Sequence, residues 1–212
     1  MPKIKKIYVG TNQVRPKYYE LSVDFRNNSQ ANLQSEWWTF SGNNSPSLNF
    51  SADGLKVTNN SWQSMVWKNF DTSNFNKVHF EWSGYLSNNG GTRDGWIILK
   101  MCVPVANPVT DNTHSAQVMI SRTTYSSQRG FNLGYNDNRY WTWTTQSAWE
   151  YTWYMDIDFT TWAISWVSSD GASLSGTLTA EYIGYLKANS VTFWVFLDGR
   201  NHIIHTAKII LS

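Results

Sequence analysis

The sequence predicts an all-β fold: an antiparallel two-sheet sandwich preceded by a short N-terminal β-hairpin. Three observations predict it. Residues 151–167, YTWYMDIDFTTWAISWV, alternate with a period of two. Trp153, Met155, Ile157 and Phe159 fall on one face, and Thr152, Tyr154, Asp156 and Asp158 on the other. After Thr160 and Thr161 the pattern resumes as Trp162, Ile164 and Trp166 against Ala163, Ser165 and Val167. Strand side chains point alternately to opposite faces, so this is a half-buried hairpin at the centre of the sandwich. Secondly, roughly a dozen short strand patterns recur at ~8–12-residue spacing, punctuated by Gly, Asn and Asp. Thirdly, no segment reads as a convincing helix, and residues 151–167 carry no polar stripe at helical spacing.

In chain order, residues 4–9 and 13–15 form two short strand patterns around Gly10, Thr11 and Asn12, and Pro16 ends the second because it has no N–H for a ladder. An isolated two-stranded hairpin is marginal in water, so its apolar residues need a partner in this chain or another. Strong alternation begins at Tyr19, with Leu21, Val23 and Phe25 opposite Glu20, Ser22, Asp24 and Arg26. Residues 27–32 read as a loop. Strand patterns follow at 36–41, 48–51, 55–58 and 62–67, with Asp53-Gly54 as a turn. Residues 77–86 alternate cleanly. Residues 96–103, WIILKMCV, are nearly all apolar and read as a strand covered on both faces. Further strands are expected at 117–122, 130–135, 140–144 and 173–182. Residues 191–197 and 202–211, joined by Asp198-Gly199-Arg200-Asn201, read as a hairpin. The one boundary lies near Pro16, dividing a segment 1–17 from a sandwich 18–212.

The composition narrows the function. Charged residues are 15% of the 212, against roughly 25% in an average globular chain. Thirteen Trp, eleven Tyr and ten Phe exceed what a thin sandwich core consumes, so some rings are expected on a contact surface. A net charge of +2 with scattered basic residues lacks the dense basic face of a nucleic-acid binder, and no nucleic-acid partner is expected. The single Cys102 excludes an internal disulfide and reads as a small buried apolar residue. The opening MPKIKKIYVG has no apolar signal core, and no run approaches ~18 apolar residues. Synthesis in a cytoplasm without membrane insertion is the expectation.

Two stretches carry family resemblance. NFSADGLKVTNNSWQSMVW, WYMDIDFTTWAISWV and VTFWVFLDGRNHIIHTAKIIL together resemble the concanavalin-A-like lectin/glucanase jelly roll over residues 18–212. KIYVGTNQVRP resembles the short leader of tailed-bacteriophage virion proteins (tail, fibre and capsid-appendage components), carried by Ile7, Tyr8, Val9, Gly10, Thr11, Val14, Arg15 and Pro16. The second resemblance implies a virion location, with Ile7, Tyr8, Val9, Gly10, Val14, Arg15 and Pro16 attaching the chain to other virion proteins. The same residues also fit an edge hairpin capping the sandwich.

Candidate sites divide by chemistry. Jelly-roll glucanases carry Glu-x-Asp-x-x-Glu on one strand, and a retaining mechanism needs two carboxyls ~5–5.5 Å apart. The nearest match, at residues 156–161, has Asp156 and Asp158 on one face but neither glutamate. His79, His114, His202 and His205 stand in no nucleophile context such as Gly-x-Ser-x-Gly, and His202 and His205 have opposite strand parity, which keeps them from one metal. Asn136-Asp137-Asn138 and Asp111-Asn112 offer calcium-type oxygens, yet turn chemistry alone accounts for them. Arg139, Tyr140, Trp141 and Trp143, with Trp149 further along, form the candidate glycan site: Trp141 and Trp143 share a face on which sugar rings could stack. Alternatively, Trp141 and Trp143 face the core while Tyr140 and Thr142 face solvent, or the rings form a subunit contact in a homo-oligomer.

The expected function is a non-catalytic structural or host-contact component of a bacteriophage virion, attached by its N-terminus and binding cell-surface glycan or neighbouring virion proteins. No cofactor or metal is expected. The alternative is a free carbohydrate-binding module or lectin, with a glycoside hydrolase third.

Overall fold

The computed structural model describes residues 7–9, 12–14, 18–36, 38–42, 48–57, 64–86, 95–102, 115–122, 127–133, 139–144, 149–198 and 202–212. The N-terminal hairpin is present: β1 (Ile7–Val9) pairs antiparallel with β2 (Asn12–Val14), Ile7 opposite Val14.

The remaining strands build two antiparallel sheets. They are β3 (Tyr19–Asp24), β4 (Thr39–Gly42), β5 (Leu48–Ser51), β6 (Gly54–Val57), β7 (Ser64–Phe70), β8 (Lys77–Leu86), β9 (Gly95–Cys102) and β10 (Ser115–Arg122). There follow β11 (Ser127–Leu133), β12 (Arg139–Thr144), β13 (Trp149–Asp158), β14 (Ala163–Ser168), β15 (Ser173–Thr177), β16 (Val191–Asp198) and β17 (Ile203–Leu211). One sheet has the order β12-β11-β10-β9-β16-β7-β4. The other runs β15-β14-β13-β8-β17-β6-β5, with β3 pairing to β17 beyond the short β6 contact. This is the two-sheet sandwich the alternation predicts.

The core lies between the sheets. Trp153, Met155, Ile157 and Phe159 are buried as their parity requires, together with Tyr151, and so are Ile164 and Trp166 on β14. Trp82 on β8 stands opposite Trp153 in register, their ring centroids 4.2 Å apart. Phe80 of β8 meets Phe193 of β16 across the interface at 4.8 Å, so odd-numbered residues of β16 face the core. Cys102 is buried, as its sequence context suggests.

Four expectations are corrected. Residues 30–35 form a helix, α1 (Gln30–Ser35), where the sequence reads as loop: Ser29 caps it by accepting from Asn32 N–H, and it buries only Leu33. The strand expected to reach residue 182 stops at Thr177, and α2 (Ala180–Leu186) follows. Thr179 caps α2 through Tyr182 N–H, and Tyr182 and Leu186, four apart, are its buried stripe. Its far end is tied down by the fully buried Thr72, whose hydroxyl donates to Leu186 O at 2.8 Å. β16 and β17 are not a hairpin: β16 pairs with β7 and β9, and β17 with β8, β3 and β6, so the connection passes from one sheet to the other. Their apolar faces meet across the core instead of sharing a ladder. Trp162, expected on a strand with Ile164, sits in the preceding turn at φ 63° and is 45% exposed.

Candidate functional site

Register, followed strand by strand, decides which face each site residue occupies. Residues opposite each other in an antiparallel ladder share a face. From Phe193 and Val195, the core face passes through Leu99 and Val118 to Phe131 and then Tyr140. The other face begins at Trp194 and Phe196, and passes through Lys100 and Ile98, Gln117 and Met119, Asn132 and Gly130, to Arg139 and Trp141. Trp143, opposite Gln128, lies there too. Arg139, Trp141 and Trp143 therefore occupy the outer face of β12, an edge strand.

Two other candidates stand at different register positions. Tyr140 falls on the core side of β12. Trp149 opens β13 in the other sheet, opposite Leu86 and with the parity of buried Tyr151 and Trp153. The same ladders bring in residues that local sequence could not assemble. Trp67, Trp96 and Trp194 share the outer face with Trp141 and Trp143, which is five of the thirteen tryptophans on one side of one sheet. Among them Trp194 is buried, so at β16 the chain itself covers this face. Gly130 stands directly beside Trp141 and presents no side chain to crowd it.

The outer face of the eight-stranded sheet is different in kind. Here the polar residues of β8, β13 and β17 pair off as ions. Asp158 bonds Lys77 at 3.2 Å and also accepts from Thr160 N–H at 2.8 Å and Thr161 N–H at 3.1 Å, closing the β13–β14 turn. The turn N–H groups, above all that of Thr161, hold its carboxyl below the usual range. Asp156 Oδ1 lies 2.7 Å from His79 Nδ1, and Glu81 Oε2 lies 3.6 Å from His79 Nε2. Both candidate catalytic carboxylates thus have structural partners. His205, the extra residue of a bulge in β17, places its ring between the Asp53 carbonyl and Glu150 Oε2, while His202 is fully buried. Among the described residues no group of three His, Cys, Asp or Glu side chains could hold a metal, and no helix is long and apolar enough to cross a membrane. Residues 111–112, His114 and residues 136–138 lie outside the described residues, as do Gly10, Arg15 and Pro16.

The His79 cluster sets a pH dependence. The hydrogen bond to Asp156 raises the imidazole pKa, outweighing the opposing effect of burial, and Glu81 adds to it. A folded pKa above the unfolded one gives stability that is complete below the unfolded value, about 6.5, and is lost as pH rises through the folded value. The pair is partly solvated, so the loss is expected to stay under about 1 kcal/mol. Denaturant titrations across neutral pH check it: His79→Gln should flatten the decline, and an unchanged slope would refute the assignment.

No protein-family model matches the sequence, and no curated protein does. Solved structures do. Peanut lectin with a 9mer peptide superposes with a TM-score of 0.63 at 15% identity, covering 91% of this chain and 97% of that one. Lectin I from Ulex europaeus, in complex with the methyl glycoside of α-L-fucose, gives 0.62 at 15% identity over 91% and 98%. The CBM2 module of Lactobacillus casei BL23 phage J-1 evolved Dit gives 0.63 at 8% identity over 92% and 96%. At such identities the similarity carries the fold alone: this chain is an antiparallel jelly-roll sandwich of the kind found in lectins.

Proposed function

We propose that this chain is a non-catalytic glycan-binding jelly roll displayed on a bacteriophage particle. It attaches through residues 1–17 and presents the outer face of its seven-stranded sheet. The observation that supports the reading is the register of β12, an edge strand on which Arg139, Trp141 and Trp143 share one parity. Indoles offer flat apolar faces to sugar rings, and Arg, Asn and Gln neighbours on the same face supply the donors and acceptors that orient hydroxyls. The phage half is supported by the leader-like KIYVGTNQVRP and by the structural similarity to a phage Dit module. The similarity to plant lectins supports a free lectin as the second reading.

One experiment separates the halves. Trp141→Ala/Trp143→Ala should keep the wild-type circular dichroism and lose at least about tenfold in affinity on an array of bacterial polysaccharides, the effect of about 1.4 kcal/mol of ring contact. A chain lacking residues 1–17 should bind the same array normally yet fail to enter particles. Unchanged binding by the double variant removes the sheet face from the proposal. Normal incorporation of the truncated chain removes the attachment segment, and turnover of a polysaccharide by the purified chain removes the non-catalytic reading.

A further inference from the structure

Trp162 combines two features found together in no other described residue. It holds a left-handed backbone, φ 63°, without being glycine, and it is a large apolar side chain left 45% exposed. A bulky residue in this region is strained, a penalty that glycine would avoid. The turn that carries it is fixed on every side. Asp158 Oδ1 accepts from Thr160 N–H and Thr161 N–H, Phe159 N–H donates to Asn76 O at 2.8 Å, and Leu178 N–H donates to Trp162 O at 2.7 Å. Phe159 is buried beneath. The indole is therefore mounted on rigid backbone at the end of the eight-stranded sheet, kept there at a cost in stability. Residues held in strained backbone cluster at ligand-binding and functional sites.

The size and polarity of the surroundings select the occupant. A protein interface needs a contiguous apolar patch, commonly several hundred Å². Among the described residues the other exposed large hydrophobic is Tyr18, at the start of β3, which the strand order separates from the β13–β14 turn by β17 and β8. The immediate neighbours of Trp162 are instead the exposed and small Thr160, Thr161 and Ala163, with the exposed Thr179 beside Leu178. One ring among hydroxyls matches one sugar.

We propose that Trp162 is a second sugar-stacking point, taking a single pyranose ring of a glycan at the end of the sandwich. It is separate from the tryptophan face of the seven-stranded sheet and rests on the glycan-binding reading above. Two points on one rigid module engage separated parts of a long polysaccharide, so their affinities multiply through effective concentration. A free monosaccharide uses one point at a time.

The test compares wild type, Trp162→Gly, Trp162→Phe and Trp141→Ala/Trp143→Ala, using the bacterial polysaccharide that wild type binds best on the array. Trp162→Gly should melt at or above the wild-type temperature and yet bind the polysaccharide about tenfold more weakly. Trp162→Phe should keep most of the binding. Saturation-transfer NMR with the component monosaccharides should retain a signal in the Trp141→Ala/Trp143→Ala chain and lose it when Trp162→Gly is added. Wild-type polysaccharide affinity in Trp162→Gly overturns this site while leaving the sheet face standing. A wild-type chain that takes up no polysaccharide overturns both.

Discussion

The Trp153→Ala chain is expected to lose about 3–5 kcal/mol of unfolding free energy, the range for truncating a buried large aromatic. Trp153 is fully buried on β13, a strand paired on both sides. Its ring stacks on Tyr151 with centroids 4.8 Å apart and lies 4.2 Å from that of Trp82. Three aromatic side chains fill this part of the core, and alanine leaves a void that neighbours anchored in a ladder cannot collapse into. Among the described residues the indole N–H of Trp153 has no acceptor, so its contribution is one of packing. Trp153→Phe should accordingly recover most of the loss. Urea unfolding followed by circular dichroism measures both variants, and a loss below about 1 kcal/mol in Trp153→Ala would refute the packing argument.

The second large effect concerns backbone contact. A Cβ added at Gly84 would stand 2.2 Å from the carbonyl oxygen of Ile203, and one at Gly54 would stand 2.3 Å from that of Ile204. These two glycines, on β8 and β6, flank the first residues of β17 just before its bulge at His205. Neither neighbour is a side chain that can rotate away, so relief requires parting strands. Gly84→Ala should destabilise by about 3 kcal/mol, the upper part of the range for overpacking. Gly54→Ala adds strain, since Gly54 holds φ 128°. Gly184, in α2 with nothing within 4 Å of an added Cβ, is the control: alanine there should stabilise by up to about 1 kcal/mol. Thermal melts that rank Gly84→Ala level with wild type would show that the ladder yields more easily than its register implies.

The comparison of sequence with structure divides along physical lines. Strands whose two faces differ in polarity could be read to the residue: residues 77–86 are β8, and Met155, Ile157 and Phe159 go inside as their alternation requires. Where both faces are aromatic or small, alternation fixes a parity without saying which parity is inner. Tyr140 and Thr142 against Trp141 and Trp143 is that case: nothing local chooses between them, and their register is set by ladders running back to Phe193. The helix α2 was hidden because Leu174, Gly176 and Leu178 continue a period of two up to its cap. Leu178 N–H leaves the ladder for Trp162 O, and the helix starts two residues on. The expected hairpin at residues 191–211 failed for a complementary reason. Turn chemistry reports that the chain reverses, not which neighbour it then pairs with, and here non-local partners on both sides prevail.

The strand β17 lies inside its sheet, gripped by β8 on one flank and by β3 and β6 on the other, and β3 comes from the opposite end of the chain. During translation the eight-stranded sheet therefore stays open, with the edges of β8 and β3 unfilled, until residue 211 has left the ribosome. Those edges are the kind that recruit stray strands. The nascent chain depends on prompt synthesis of β17, or on a chaperone, to keep the gap vacant until that strand arrives.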